Sequence, residues 1–391
     1  MSAGTPVEAT TGGWFSLTGL LALRACAGLQ FGSIAAVASL LEEELHLSGA
    51  ELGALVGLYT APAILLAIPG ASWARRFGDT RVLTAALMAM TAGSLLTALA
   101  GGFGLAMLGR LVAGCGGVIV QMVVTRMVAD RFAGPRSSVA VGTILASWPV
   151  GLLVSLMILG PLAQALGWRV ALALAAAAPA FFILRRGWSH ASSPPGPLRS
   201  APLFNFTRRE WTVVLLIGLA YLAYNGGSSS YVAFVPVLLA ERGEAVGEAA
   251  VFTSIAALTM VLVTPFGGLV ADRSGRPRAV VVAGAFIAVA SILATSAMSS
   301  PVLALAVAGA MIALPPGPLG ALLSRSVSPA GRPGAFAMFS IMASVGTLIA
   351  PPLAGWMRDM GGSAEWALAS AALLLGITGV LALWIRPDPP R

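Results

Sequence analysis

Gly268-Leu269-Val270-Ala271-Asp272-Arg273-Ser274-Gly275-Arg276-Pro277-Arg278 is a short basic turn that closes one long apolar run and precedes the next. Gly70-Ala71-Ser72-Trp73-Ala74-Arg75-Arg76-Phe77-Gly78 does the same in the first half of the chain. A weak repeat at matching places in two halves predicts a duplicated bundle with its ligand site between the halves. The longest polar interruption, from Arg185 to Glu210 with Ser192-Ser193-Pro194-Pro195-Gly196-Pro197 inside it, falls between the copies and resists regular structure.

Around these turns the chain is almost wholly apolar. Of 391 residues 58% are hydrophobic and 10% charged, which excludes a water-soluble domain. Apolar stretches recur at the length needed to cross about 30 Å of hydrocarbon. Their approximate spans are 14–39, 52–72, 82–100, 104–126, 137–160, 169–185, 212–239, 250–270, 279–298, 302–324, 334–357 and 367–385. The expected fold is an all-α membrane protein of 12 transmembrane helices in two pseudo-symmetric six-helix bundles, residues 1–185 and 212–391, joined by a linker at 186–211.

The formal charge of +8 comes from arginines alone, since no lysine occurs, and they sit in short clusters rather than on a continuous face, so nucleic acid is not an expected partner. Loops on one side carry Arg75, Arg76, Arg81, Arg131, Arg136, Arg273, Arg276, Arg278, Arg325 and Arg332, whereas the opposite loops are acidic, with Glu42, Glu43, Glu44, Glu51, Glu241, Glu244 and Glu248. Arginine in short loops holds them in the cytoplasm. Both termini are therefore expected inside, in a bacterial-type inner membrane, with lipid as surroundings and the chain working as a monomer.

An ionisable group near the bilayer centre costs several kcal/mol and must face a cavity or a partner. Arg24 lies about 15 Å into the first span, and Arg110 lies in the fourth. No Asp or Glu lies well inside any span, so a bound anion is the candidate for the missing negative charge, and the planar fork of guanidinium suits carboxylates. Arg110, Gly114, Gly117 and Gln121 share a helical face, with the glycines leaving room for a ligand or for close helix contact. Tyr224, Asn225 and Ser228 give the seventh span a polar face beside Gly226-Gly227, a pair that would allow it to bend. Gln30, Trp148 and Tyr59 complete the candidate substrate-binding residues. Neither Cys26 and Cys115 nor His46 and His190 show metal-ligand spacing, no cofactor is expected, and without a lysine there is no P-loop for ATP.

The opening stretch closely resembles the signature that major facilitator superfamily transporters carry after their second and eighth helices. There its acid and arginines hold the inner gate closed, which implies gating roles for Gly268, Asp272, Arg273, Gly275 and Arg276, and for Arg75 and Arg76 in a first-half copy where Arg75 stands in place of the acid. Gly109-Arg110-Leu111-Val112-Ala113-Gly114-Cys115-Gly116-Gly117 is similar to a second signature of the superfamily. The fifth span reads Ser147-Trp148-Pro149-Val150-Gly151 and departs from the family's antiporter signature. Leu23-Arg24, Trp148-Pro149-Val150-Gly151, Tyr224-Asn225 and Pro351-Pro352-Leu353-Ala354-Gly355-Trp356 resemble the cyanate/nitroimidazole-type branch.

The resemblance implies a secondary or facilitative transporter rather than an enzyme. With buried arginines and no buried acids, the expected cargo is a small organic or inorganic anion, moved by alternating access with or without a coupled proton or counter-anion. The alternative is efflux of apolar or weakly basic compounds by drug/proton antiport, which usually needs a membrane carboxylate. The topology has its own test: cysteines at positions 43 and 244 are expected to label from outside intact cells and one at 193 is not, and outside labelling at 193 overturns the orientation.

Overall fold

The computed structural model describes residues 17–66, 73, 76–131, 137–184, 206–298 and 301–385. The described residues form helices joined by short turns. Spans 1 and 2 are each built from two helices, α1 (Leu17–Ala36) with α2 (Ala38–Leu45), and α3 (Gly49–Gly57) with α4 (Pro62–Leu66). Spans 3 to 6 are α5 (Asp79–Ala98), α6 (Phe103–Arg131), α7 (Ser137–Leu166) and α8 (Trp168–Leu184). Spans 7 to 9 are α9 (Arg208–Glu241), α10 (Val246–Ser274) and α11 (Pro277–Ala297). Span 10 is again split, into α12 (Val302–Ile312) and α13 (Pro316–Ser326), and spans 11 and 12 are α14 (Arg332–Gly361) and α15 (Ala364–Trp384). Eleven spans are at least 18 residues long and α8 has 17, so the chain is a multi-pass membrane protein.

The sequence explains where helices start and stop. Ser48 and Glu51 form a capping box that opens α3, and Thr207 and Glu210 form one that opens α9. Gly275, at φ +63°, ends α10 in the left-handed conformation and Pro277 starts α11, so the basic turn is a tight corner between two helices. Pro62 follows the break in span 2, and Pro315-Pro316 lie at the break in span 10. At Gly226-Gly227 α9 runs on as an unbroken helix, and an added Cβ on either glycine would press on Ala350 or on the Ala371 carbonyl. These glycines seat span 7 against spans 11 and 12.

Packing repeats between the halves. In the first half span 1 lies on span 5, span 3 on span 4, and span 3 on span 6; in the second half span 7 lies on span 11, span 9 on span 10, and span 9 on span 12. The halves meet through span 2 on span 11 and span 5 on span 8, a pair of contacts related by the same duplication. Here backbones touch. An added Cβ on Gly53 would strike the Pro351 carbonyl, and one on Gly355 would strike that of Gly49.

Polar contacts that cross between the halves gather at the acidic end. Arg358, at the end of α14, pairs with Glu42 of span 1 and, at 2.8 Å, with Glu241 of span 7. Next to it Asp359 accepts from the Gly49 and Ala50 N–H groups, 2.7 and 3.0 Å away, at the positive end of α3. Gln164 of α7 accepts from the Gly247 N–H of α10 at 2.8 Å. This end is clasped shut. A larger residue at the tightest crossing within a half, Gly151→Val against the Ala25 carbonyl, is expected to cost about 1–3 kcal/mol and to lower the melting temperature in detergent; an unchanged melting temperature contradicts this packing.

Candidate functional site

Arg24 sits on α1 where α1 crosses α7, with 7% of its surface exposed. One nitrogen, Nη1, donates to the Ile144 carbonyl, to the Leu145 carbonyl at 3.1 Å and to Ser147 Oγ at 3.4 Å. Its Nε is buried without a hydrogen-bond partner, and every bond the side chain makes is through Nη1. All three acceptors lie on α7, in the same half as Arg24. Carbonyls carry no net charge. The Nε–Nη2 edge is thus an unused donor pair on an uncompensated cation.

Arg110 is equally buried but differently employed. Its Nε donates to the Leu55 carbonyl at 2.8 Å, Nη1 to the Gln30 carbonyl at 2.7 Å and Nη2 to the Phe31 carbonyl at 3.5 Å, while its guanidinium carbon lies 4.6 Å from the centre of the Tyr59 ring. Tyr59 in turn fills the hollow left by Gly114 and Gly117. Arg110 therefore ties spans 1, 2 and 4 together and contributes a positive field. Gln30 donates to the Met90 carbonyl at 3.2 Å and keeps an unpartnered Oε1; Gln121 is half-buried farther along α6.

On span 7, Tyr224 is tied to span 10, its hydroxyl donating to the Ile312 carbonyl at 2.8 Å. Asn225 donates to the Tyr221 carbonyl at 2.8 Å, and Ser228 to the Asn225 carbonyl at 3.2 Å, so this polar face largely satisfies itself on its own backbone. Aromatic rings line up around these residues, and of them Phe31, Tyr221 and Phe339 lie outside the candidate set. Trp148 packs on Phe31, with centroids 5.3 Å apart, and Phe31 on Tyr59 at 6.2 Å; Tyr221 stacks on Phe339 at 3.6 Å and on Tyr224 at 5.6 Å. One aromatic row belongs to each half. Phe31 and Phe339 look like ordinary core in the sequence, because nothing in spacing alone reveals which apolar face meets the other half.

At the arginine-rich end, Asp272 pairs with Arg325 of span 10 at 3.0 Å, both side chains more than half exposed. Arg273 and Arg276 are exposed, and Gly317 of span 10, lacking a Cβ, lies close against the Gly268 backbone. In the first half, Arg75 lies outside the described residues and Arg76 is exposed over the Phe77 ring. The first half nevertheless has an acid: Asp79, 5% exposed at the start of α5, pairs with Arg126 of span 4. Asp79 occupies the place of Arg276 in the repeat, four residues after Arg75. The order of charges is reversed between the copies, and each acid reaches an arginine near the end of the matching span. That reversal was visible in the aligned turns but carries meaning only once Arg126 and Arg325 are seen to be equivalent.

Among the described residues no cluster of His, Cys, Asp or Glu could hold a metal ion. The family model of the Major Facilitator Superfamily matches residues 20–243 and again 217–391. A curated relative, the probable sulfoacetate transporter SauU of Cupriavidus necator, is 23% identical over 91% of this chain and 89% of its own. Among solved structures, a bacterial homologue of the human lysosomal transporter Spinster, in an inward-facing and occupied conformation, superposes with a TM-score of 0.79 at 18% identity, covering 95% of this chain and 96% of that one. A point mutant of the nucleoside transporter NupG superposes with a TM-score of 0.75 at 16% identity, over 94% of this chain and 98% of its own. Split spans, a duplicated packing pattern and a family match along nearly the whole chain agree: this protein belongs to the Major Facilitator Superfamily, a family of small-molecule transporters rather than enzymes.

Proposed function

We propose that the protein moves a small organic anion across the membrane by alternating access, with Arg24 as its principal ligand. The observation that carries this reading is the unused Nε–Nη2 edge of Arg24, a buried arginine with no carboxylate paired to it. A guanidinium edge of this kind binds two anion oxygens at once. Arg110, its donors already engaged, acts through its field; Gln30, Gln121, Trp148, Tyr59, Tyr224, Asn225 and Ser228 shape the surroundings. The probable sulfoacetate transporter among the relatives supports an anionic cargo. So do the segments resembling the cyanate/nitroimidazole-type branch, which contain Arg24 and Trp148.

In this reading the arginine-rich end faces the cytoplasm and the Arg358 clasp seals the outside. The energy comes from a gradient, through a coupled proton or a counter-anion. Loss of a charged hydrogen bond to the anion costs about 1.5–3 kcal/mol, roughly ten- to more than hundred-fold in affinity. Arg24→Gln, shown by gel filtration to be folded, is expected to lose anion binding and proteoliposome flux by that factor, and Arg24→Lys to recover part of it, since lysine restores the charge without the fork. A folded Arg24→Gln protein with unchanged anion flux overturns the proposal.

The latches give a second test. Asp79 is buried and Asp272 exposed, and removing one partner of a buried pair costs far more than breaking an exposed one. Asp79→Asn is expected to slow flux about tenfold and Asp272→Asn much less, with the reversed pair Asp79→Arg/Arg126→Asp regaining a good part of the loss. Equal, small effects at both sites would remove Asp79 from the gate.

A further inference from the structure

The orientation of Arg24 has a cause in the opposite helix. Pro149 lies buried inside α7 and has no N–H, so the Leu145 carbonyl four residues earlier lacks its helical donor. Water cannot supply one in the hydrocarbon. Arg24 Nη1, at 3.1 Å, does. The helices are pressed together at this point: an added Cβ on Gly28 would strike the Trp148 carbonyl and one on Gly151 the Ala25 carbonyl, so the base of Arg24 is held within a turn of the proline. Ser147, which donates to the Ile144 carbonyl at 2.6 Å, stands as a further acceptor at 3.4 Å from the same nitrogen. One end of the guanidinium plane is thus pinned by acceptors while Nε, at the other, is left unpartnered.

We infer that Pro149 is a positioning and specificity-determining residue: through the orphaned Leu145 carbonyl it holds Arg24 by Nη1 and so presents the Nε–Nη2 edge as a fixed fork for anions with two coplanar oxygens. A spherical halide gains little from such a fork, whereas a carboxylate gains two parallel bonds. The inference rests on the reading of Arg24 as the anion ligand. An arginine that merely plugged the gap in α7 would have no reason to leave its fork edge unpartnered.

The pairing is tested without any ligand by melting temperatures of the full-length protein, Arg24→Gln, Pro149→Ala and the double variant in detergent. Alanine in place of the proline supplies an N–H to the Leu145 carbonyl, so the shift caused by Arg24→Gln is expected to shrink in the Pro149→Ala background; strictly additive shifts overturn the pairing. The second arm measures binding of acetate and of sulfoacetate by calorimetry, each in competition with chloride. Pro149→Ala is expected to lose about tenfold in affinity for both and a similar factor in selectivity over chloride, the scale of one weakened charge-assisted bond. Unchanged affinity and selectivity in folded Pro149→Ala overturn the positioning role, as does a wild-type protein that binds neither probe. Wild-type binding by Arg24→Gln instead defeats the anion-site reading, whatever the melting temperatures show. If Pro149→Ala does not fold, Pro149→Gly takes its place, since glycine restores the same N–H and leaves the backbone free to keep its path.

Discussion

A carbonyl without a donor cannot be left in the hydrocarbon of a membrane, and this constraint organises the interior of the protein. Three of the breaks in helical hydrogen bonding are each answered by a side chain from another span. Pro149 frees the Leu145 carbonyl, which Arg24 takes. Pro316 frees the Ile312 carbonyl, which Tyr224 takes at 2.8 Å. The end of α3 frees the Leu55 carbonyl, which Arg110 takes at 2.8 Å. The polar residues most conspicuous in these apolar spans are first of all repairs to the backbone, and they connect spans 1, 2, 4, 5, 7 and 10 in doing so.

The three repairs differ in what they leave over. A tyrosine hydroxyl has one proton and spends it. Arg110 spends all three of its nitrogens and stacks its plane on Tyr59, which makes it a rivet with a charge. Arg24 spends one nitrogen. A residue with five N–H donors placed against a cluster of acceptors that occupies only one end has structural work and binding capacity at once. This explains how a costly buried charge is kept in place without a carboxylate beside it.

Around this interior the two halves are built alike and closed differently. Glycine seams at equivalent crossings let backbones touch, and they give the pseudo-symmetry seen in the packing. The charges do not follow that symmetry. At the acidic end a single residue, Arg358, reaches both halves. At the arginine-rich end each half carries its own pair, one buried and one exposed, with the acid and the base exchanged in order. Of the two pairs only the one in the first half is shielded from solvent and salt.

The sequence by itself determined the number and nearly the limits of the spans, the duplication, the corner at Gly275-Pro277 and the presence of arginines inside spans that hold no Asp or Glu well inside them. These follow from local hydropathy and from backbone chemistry at glycine and proline, which act over a few residues. It also marked most of the residues near the centre, Arg24, Arg110, Gln30, Tyr59, Trp148 and Tyr224, because a polar or aromatic group stands out in an apolar helix. The breaks inside spans 1, 2 and 10 were not marked, since a hydropathy average runs smoothly across a turn whose residues remain apolar. Only the tertiary structure decided which donors were already used. Whether Arg24 or Arg110 keeps a vacant edge, whether Asp79 has found Arg126, and which rings stack into each aromatic row depend on contacts between residues far apart in the chain, and those are set by how the spans pack rather than by what any one of them contains.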